Sequence, residues 1–379
     1  MDFEAKYMAG DARLFDQKNE MFKRARWEPE LREAARKVYG LIRPKSGQKA
    51  GYQHEEMALR NASWFLEMSF ARGTIENNFG MYRWGDRRLA PNELPEDLKL
   101  NPKATEYNTR LVKKAARLYG ADMVGICRLD RRWIYTRGYN LHTRQEYDIN
   151  IPDDYQYVIN IALESDYDAY KYAPAFPGAA AVGLGYSKMA FVAGLIAQFL
   201  RQLGYKAIPC GNDTAMSVPH AIQAGLGELG RNGILITPRF GPRVRLCKVF
   251  TDLPLVCDRP IEFGATEFCH VCKKCAKNCP GRAITDGPRT TEPISISNAG
   301  GTLKWYLDSR RCYEFWAKNG TDCGNCVRVC PFNKPAGIIH DITRWFIERF
   351  PQLDSAIVKA DDLFGYDKQA DLETYWDKD

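Results

Sequence analysis

The sequence predicts an α/β (α+β) protein, on two observations. Helix-spaced and strand-like apolar runs alternate from about residue 104 to residue 250, and eight of the twelve cysteines fall in one later stretch, between Cys269 and Cys330. With 379 residues, 45% of them hydrophobic and 12% aromatic, the chain has the material for one large domain or two ordinary ones. Residues 1 to about 100 are charged and aromatic. They carry an expected helix from about Glu55 to Phe70 and a loop punctuated by Gly80, Gly85 and Pro91, and read as an embellishment wrapping a core. From Ala104 to Leu118 the apolar positions recur at helical spacing, and Gly120 stops the run. Ala121 to Cys127 and Tyr157 to Ala162 read as buried strands. A helix is expected over Ser187 to Leu203, a short strand over Tyr205 to Pro209, and a helix over Pro219 to Leu229. Ile234 to Thr237 and Val244 to Phe250 follow as strands. The organisation expected is therefore an embellishment (1–100), an α/β domain (101–263), a ferredoxin-like segment of helical turns and loops (264–335) and an acidic tail packed on the core (336–379).

The cysteine-rich stretch reads Cys269-His-Val-Cys272-Lys-Lys-Cys275-Ala-Lys-Asn-Cys279-Pro280, then Cys312, then Cys323-Gly-Asn-Cys326-Val-Arg-Val-Cys330-Pro331. Two runs that each end in Cys-Pro are the ligand pattern of paired 4Fe-4S clusters, in which three thiolates on a short loop grip one cluster and the fourth reaches the other. A structural zinc site closes on four ligands, usually two Cys-x2-Cys pairs, and leaves the extra cysteines without a use. By the crossed rule Cys269, Cys272, Cys275 and Cys330 hold one cluster, and Cys279, Cys312, Cys323 and Cys326 the other. The second run is irregular, because ten residues separate Cys312 from Cys323 where a symmetric ferredoxin has two. A disulfide framework suits a small secreted chain better than a large one that builds its own core. Cys127, Cys210, Cys247 and Cys257 stand outside the runs, mostly among apolar neighbours, as buried thiols.

The net charge of +7 and pI near 8.7 favour an anionic surface or an acidic electron donor. The basic residues are scattered without a recognition motif, so no nucleic acid partner is expected. The longest apolar helix candidate, Ala190 to Leu200, falls short of the roughly 20 residues that span a bilayer. The N-terminus, Met1-Asp-Phe-Glu-Ala-Lys, shows no export signal, and the pairs Arg87-Arg88 and Arg131-Arg132 lie too deep to be one. Gly225-Leu-Gly227-Glu-Leu-Gly230 matches the dinucleotide fingerprint, but a helix-like Pro219-His-Ala-Ile-Gln-Ala precedes it where a strand is needed, and the one acid at suitable distance is Asp252. These glycines read instead as places where backbone approaches another large ligand, or as a tight helix end.

Four blocks carry a family resemblance: Val182-Gly-Leu-Gly-Tyr186-Ser187, Gly211-Asn212-Asp213, Ala224-Gly-Leu-Gly-Glu-Leu-Gly-Arg-Asn-Gly233 and Arg245-Leu-Cys-Lys-Val-Phe-Thr-Asp-Leu-Pro254. With the two cysteine runs downstream, the chain resembles the corrinoid-dependent reductive dehalogenases of respiratory type over about residues 100–335, and more weakly through Met21-Phe-Lys-Arg-Ala-Arg-Trp27. The resemblance implies a nitroreductase-like core holding a base-off cobalamin, with two 4Fe-4S clusters in a ferredoxin-like domain to feed it. No Asp-x-His-x-x-Gly signature is present to supply a histidine as lower cobalt ligand. The five histidines, His54, His142, His220, His270 and His340, are isolated; His220 is the one expected near the corrinoid, with Gly225, Gly227 and Thr237 as further cofactor contacts.

The resemblance further implies Tyr186 as proton donor, Arg245 as its cationic partner and Asn212 beside them. Replacing carbon-halogen by carbon-hydrogen takes two electrons and one proton; a tyrosine is a reluctant acid, and a fixed guanidinium favours its phenolate. Trp64, Trp305, Tyr306 and Trp316 are candidate walls of an apolar substrate pocket. The partners implied are a small organohalide, an external low-potential electron donor and a small membrane-anchor protein, at the outer face of the cytoplasmic membrane or, alternatively, in the cytoplasm. Two other readings compete: an epoxyqueuosine reductase-like tRNA-modifying enzyme, which would carry an acidic proton donor, and a plain electron-transfer ferredoxin subunit, which leaves the long α/β region unexplained.

Overall fold

Two central strands organise the protein, and their sequences show why: Tyr157–Glu164 is an almost continuous run of β-branched and apolar residues, and Val244–Thr251 is another interrupted by Arg245 and Lys248. The computed structural model describes residues 2–10, 12–39, 47–71, 80–84, 94–141 and 143–377; Gly85, Pro91, the Arg87-Arg88 pair and His142 lie outside them. The strands in chain order are β1 (Met123–Arg128), β2 (Arg137–Tyr139), β3 (Glu146–Asp148), β4 (Tyr157–Glu164), β5 (Ala207–Cys210), β6 (Glu228–Leu229), β7 (Leu235–Ile236) and β8 (Val244–Thr251). The main sheet has the order β1-β4-β8-β5 and is antiparallel throughout, while β2 pairs with β3 and β6 with β7 in two short hairpins. Pro209 is tolerated because β5 is an edge strand.

Strand alternation sorts the side chains into two layers. Ile159, Ile161, Cys247 and Val249 share one core with Met189, Ala193 and Ile196 of the helix Phe176–Gln202 and with Val112 and Ala116 of the helix Thr105–Leu118. Burying an aliphatic side chain of this size contributes roughly 1.5–3 kcal/mol. Val158, Ile208 and Phe250 face the opposite layer, where Ala162 packs with Ala221 and Ile222 of the helix Ser217–Gln223. Arg245 has the parity of the first layer and therefore lies under the long helix.

Three sequence expectations change here. The long helix begins at Phe176, not Ser187, and runs for 27 residues, so Tyr186 stands in its interior. The Gly178-Ala-Ala-Ala181 stretch lacked the apolar periodicity that marks a helix, yet every one of these residues is buried, because small side chains let the helix lie close to its neighbours. By length and composition this helix, unlike the shorter Ala190 to Leu200 candidate, is apolar enough to cross a membrane; its most apolar stretch is two-thirds buried in the core. The helix expected over Pro219 to Leu229 is Ser217–Gln223 only: Gly225 takes φ +73° and turns the chain out, and Glu228–Leu229 enter a hairpin. The helix expected from Glu55 to Phe70 is His54–Ser63, followed by a π-turn at Glu67–Ala71.

The outer segments tie the parts together. Phe3 and Tyr7 pack beside Trp133, and Met21, Ala25 and Leu31 pack on Tyr313 of the helix Ser309–Asn319. The tail forms two helices, Ile338–Arg349 and Asp354–Leu363; Ile347, Ile357 and Val358 pack on Phe268, Cys272 and Cys330, while Gln369 donates to the Tyr172 carbonyl.

Candidate active site

The long helix, β8 and the loop after β5 converge on Tyr186. Asn212 Nδ2 donates to Tyr186 Oη at 2.9 Å, and the Arg245 guanidinium lies 5.4 Å from the Tyr186 ring centre. Arg245 Nη2 donates to Tyr170 Oη at 3.0 Å. Trp64 stacks on Tyr186, with centroids 4.9 Å apart and planes 21° apart. Asn212 is exposed, and Tyr186 and Arg245 are half-buried although they sit on central elements, so the three border an open face of the core.

Two glycines that sequence reading used only as part of a block make this packing possible. A Cβ on Gly183 would lie 2.3 Å from Trp64 Cδ1, and one on Gly185 would lie 2.5 Å from Arg245 Cγ. Gly-Leu-Gly in a helix interior costs about 1 kcal/mol per glycine relative to alanine, and here it opens grooves for Trp64 and Arg245. Ser187 fixes the same region, donating to the Ser63 carbonyl at 2.7 Å and accepting from Glu67 N–H at 3.3 Å. Tyr170, also missed, has no local signal, since its partner Arg245 lies 75 positions along the chain.

The Asn212 loop is pinned from below. Lys248 is fully buried in β8; its Nζ donates to the Gly211 carbonyl at 2.7 Å and to Ser217 Oγ at 3.1 Å. Asp213 accepts from Gly211 N–H at 2.7 Å, and Thr214 adopts φ +67° to complete the turn. Because the Asn212 amide donates to the phenol oxygen, the hydrogen of Tyr186 remains free to point elsewhere.

Electrostatics modify one expectation. Burial is the largest influence on the Tyr186 hydroxyl and pushes its pKa up, while Arg245 and the Asn212 amide pull it down; the net direction is upward from 10.0. The guanidinium therefore does not loosen the proton in the resting protein. It limits a burial effect that keeps the phenol protonated. Around the three residues, Arg245 Nε, Trp64 Nε1, Ser165 Oγ and Tyr82 Oη are buried without a hydrogen-bond partner among the described residues. Such donors fit a ligand that brings acceptors.

The residues expected to contact the corrinoid, His220, Gly225, Gly227 and Thr237, are held mostly in the interior. His220 and Thr237 are fully buried, and Gly227 is buried with them. His220 Nδ1 lies 3.0 Å from the Met216 carbonyl, and burial lowers its pKa to about 4, keeping the ring neutral. Thr237 Oγ1 donates to the Gly241 carbonyl and accepts from Phe240 N–H, closing a turn. A Cβ on Gly227 would meet the Ile236 carbonyl oxygen at 2.1 Å, and one on Gly225 the Arg259 carbonyl oxygen at 2.5 Å. These glycines admit the protein's own backbone and end a helix, the second of the two readings their spacing allowed. Of the aromatic candidates only Trp64 adjoins Tyr186; Trp305 packs on Arg231 and His270, Tyr306 bonds Thr291 and Thr302 carbonyls, and Trp316 meets Phe22.

The eight cysteines gather in two groups. Cys269 and Cys272 close the helix Ala265–Cys272, Lys273 turns the chain at φ +54°, and Cys275 follows. With Cys330 these thiols line one cavity, together with Arg231, Asn232, Phe268 and Phe332. Arg231, unremarked in the sequence, is buried and donates to the Cys269, Thr285 and Gly287 carbonyls. The helix Ser309–Asn319 returns Cys312 across its long spacer to the neighbourhood of Cys326 and Cys279, whose ionisation its own would oppose. Cys323 in turn feels Cys312 and Cys279. Burial, then neighbouring thiols, push Cys312, Cys323 and Cys326 up to about 12, while Cys275 and Cys330 rise well above the ordinary thiol value. Such sets ionise when a cationic centre arrives, which fits a metal cluster. Among the described residues no three His, Cys, Asp or Glu side chains are arranged to hold a single metal ion. Cys326 packs in the same apolar cluster as Trp64, Tyr170 and Tyr186, and feels the Arg245 charge, so the second group adjoins the tyrosine. Cys127, Cys210 and Cys247 are buried, with thiols pushed up by burial.

Comparison with known proteins shows what the chain resembles. The family described as 4Fe-4S double cluster binding domain matches residues 268–333. The tetrachloroethene reductive dehalogenase of Sulfurospirillum multivorans is 37% identical over 350 residues, which are 84% of this chain and 70% of that protein. That of Desulfitobacterium hafniense is 43% identical over 326 residues, which are 76% of this chain and 59% of its own length. The solved structure of the catabolic reductive dehalogenase NpRdhA superposes with a TM-score of 0.74 at 24% identity, covering 96% of this chain and 48% of the other. The chain thus spans about half the length of the solved structure it matches. An epoxyqueuosine reductase of Listeria monocytogenes is 32% identical over 114 residues, 30% of this chain.

Proposed function

Since the chain belongs to the reductive dehalogenase family, we propose that it is an oxidoreductase that replaces halogen by hydrogen on a small organohalide, consuming two electrons and one proton and releasing halide. The observation that carries the reading is a phenol held by Asn212 beside the Arg245 cation, on an open face that adjoins a cysteine group. The relatives are named for tetrachloroethene, and a chlorinated alkene is accordingly the first substrate to try.

A base-off cobalamin, implied by the family, supplies when bound the low-potential electrons for breaking the carbon-halogen bond. The residues that would border it are Tyr186, Asn212, Arg245 and Trp64, where Arg245 Nε and Trp64 Nε1 stand without partners among the described residues. His220, the histidine expected nearest the corrinoid, is fully buried, with its Nδ1 at the Met216 carbonyl.

Tyr186 gives its proton to the carbon that loses halogen. Asn212 holds the phenol oxygen by donating to it, and so leaves the phenol hydrogen to the substrate. Arg245, fixed by Tyr170, stays charged and stabilises the phenolate left behind, a charge that a low-dielectric setting would otherwise penalise. Trp64 keeps water off one ring face. Two 4Fe-4S clusters would be held by Cys269, Cys272, Cys275 and Cys330 and by Cys279, Cys312, Cys323 and Cys326, and would supply electrons from an external low-potential donor; the second group lies beside Arg245 and Tyr170. A small membrane-anchor protein and the outer face of the cytoplasmic membrane complete the setting proposed.

The test is halide release from corrinoid-loaded, chemically reduced protein given chlorinated and brominated alkenes, alkanes and phenols. Stoichiometric chloride from tetrachloroethene is expected, and release from no compound would set the reading aside. The same assay has a pH limb. Because the Tyr186 pKa is raised, the acid form persists through neutral and mildly alkaline solution, so no activity should be lost to its ionisation below about pH 10. A fall centred near neutrality that disappears in Tyr186→Phe would contradict this.

A further inference from the structure

We propose that Asp361, delivered by the tail helix Asp354–Leu363, sets the reduction potential of the cluster at Cys269, Cys272, Cys275 and Cys330 by offsetting the charges of Lys274 and Lys334. The inference rests on reading those four thiols as the ligands of one cluster.

Lys274 stands between two of these cysteines, and its Nζ is 2.6 Å from Asp361 Oδ2. Lys334 follows Cys330 by four positions, and its Nζ is 2.7 Å from the other oxygen, Asp361 Oδ1. One carboxylate thus bridges two ammonium groups, and all three side chains are under a tenth exposed. Tyr366 lies under the Lys334 ammonium at 4.2 Å. Asp362 and Asp367 also approach Lys274, at 2.6 and 3.4 Å, but they are 56% and 22% exposed, so water weakens them.

Docking the tail does not need this arrangement, since Ile357 and Val358 already pack against Phe268, Cys272, Cys330 and Phe332. Buried charges are costly to desolvate, and of the carboxylates at hand only Asp361 is itself buried, so two enclosed cations share one enclosed anion. Both cations act on the thiols: Lys274 on Cys272, where Asp361 and Asp362 oppose it, and Lys334 on Cys330. Reduction adds an electron to a cluster, so a nearby cation favours the reduced form and raises the potential. Asp361 cancels part of that effect and keeps the cluster a stronger reductant, as transfer onward to a low-potential centre requires.

The test is an anaerobic redox titration followed by electron paramagnetic resonance on the full-length holoprotein, comparing wild type with Asp361→Asn and Lys334→Gln. Asp361→Asn should move one of two cluster potentials upward, Lys334→Gln should move the same one downward, and the other should stay in place in both. Loosened packing would shift both variants in one direction, so equal signs, shifts shared by both clusters, or no shift would each overturn the proposal. If Asp361→Asn does not fold, Lys334→Gln decides alone: a downward shift supports it, and none or an upward one defeats it. Wild-type protein that shows a single cluster would defeat the ligand reading itself, a failure distinguishable from an unmoved potential.

Discussion

Tyr186→Phe is expected to lower the dehalogenation rate by about 10²–10⁴, the range in which a positioned general acid contributes, while iron, corrinoid and fold are retained. The substitution removes one oxygen and little else. Phenylalanine keeps the ring that stacks on Trp64 and lies beside Arg245, and the amide it strands belongs to exposed Asn212, which turns to water. The stability change should therefore stay within about 1 kcal/mol, the net worth of an ordinary hydrogen bond. Chloride release, metal content and thermal unfolding on one preparation separate the outcomes. Unchanged turnover would remove Tyr186 from the proton-donor role, and lost corrinoid would make it a cofactor contact instead.

Cys272→Ser is expected to halve the iron content and stop electron supply from an external donor, leaving the sheet domain folded. Cys272 is 6% exposed, at the end of its helix and on the wall of the cavity shared with Cys269, Cys275 and Cys330. A serine there offers a hard alkoxide of much higher pKa in place of a soft thiolate, and the other group keeps its own four sulfurs. Iron counting with resonance spectra of the remaining cluster checks it. Undiminished iron would show that Cys272 is not a ligand.

Ligand spacing is local, which is why the grouping of cysteines could be proposed from sequence, and even distant Cys312 needed only an intervening helix. The strands were visible for the same kind of reason, as apolar runs with the β-branched content a buried sheet requires. The site around the tyrosine was not. Tyr186, Asn212 and Arg245 were singled out through family resemblance, because individually they read as a core aromatic, a turn residue and a strand charge. What assembles them is register: β8 lies antiparallel between β4 and β5, which places Arg245 under the long helix. That helix escaped recognition at its start because Gly and Ala carry no amphipathic stripe, and Gly183 and Gly185 become meaningful only once Trp64 and Arg245 fill their grooves. Gly225 and Gly227 carry a pattern that permits both ligand approach and backbone packing; the Arg259 and Ile236 carbonyls lie where a Cβ on either would point. The effect of Arg245 on Tyr186 was read with the right sign, but burial, which no sequence shows, outweighs it.

The most direct measurement is an electron-density map of anaerobically purified protein carrying its native cofactor. A corrin ring is expected against the open side of Tyr186, Asn212 and Arg245, with the phenol facing the substrate space. A flavin in that space, or a corrin bound away from the tyrosine, would contradict it.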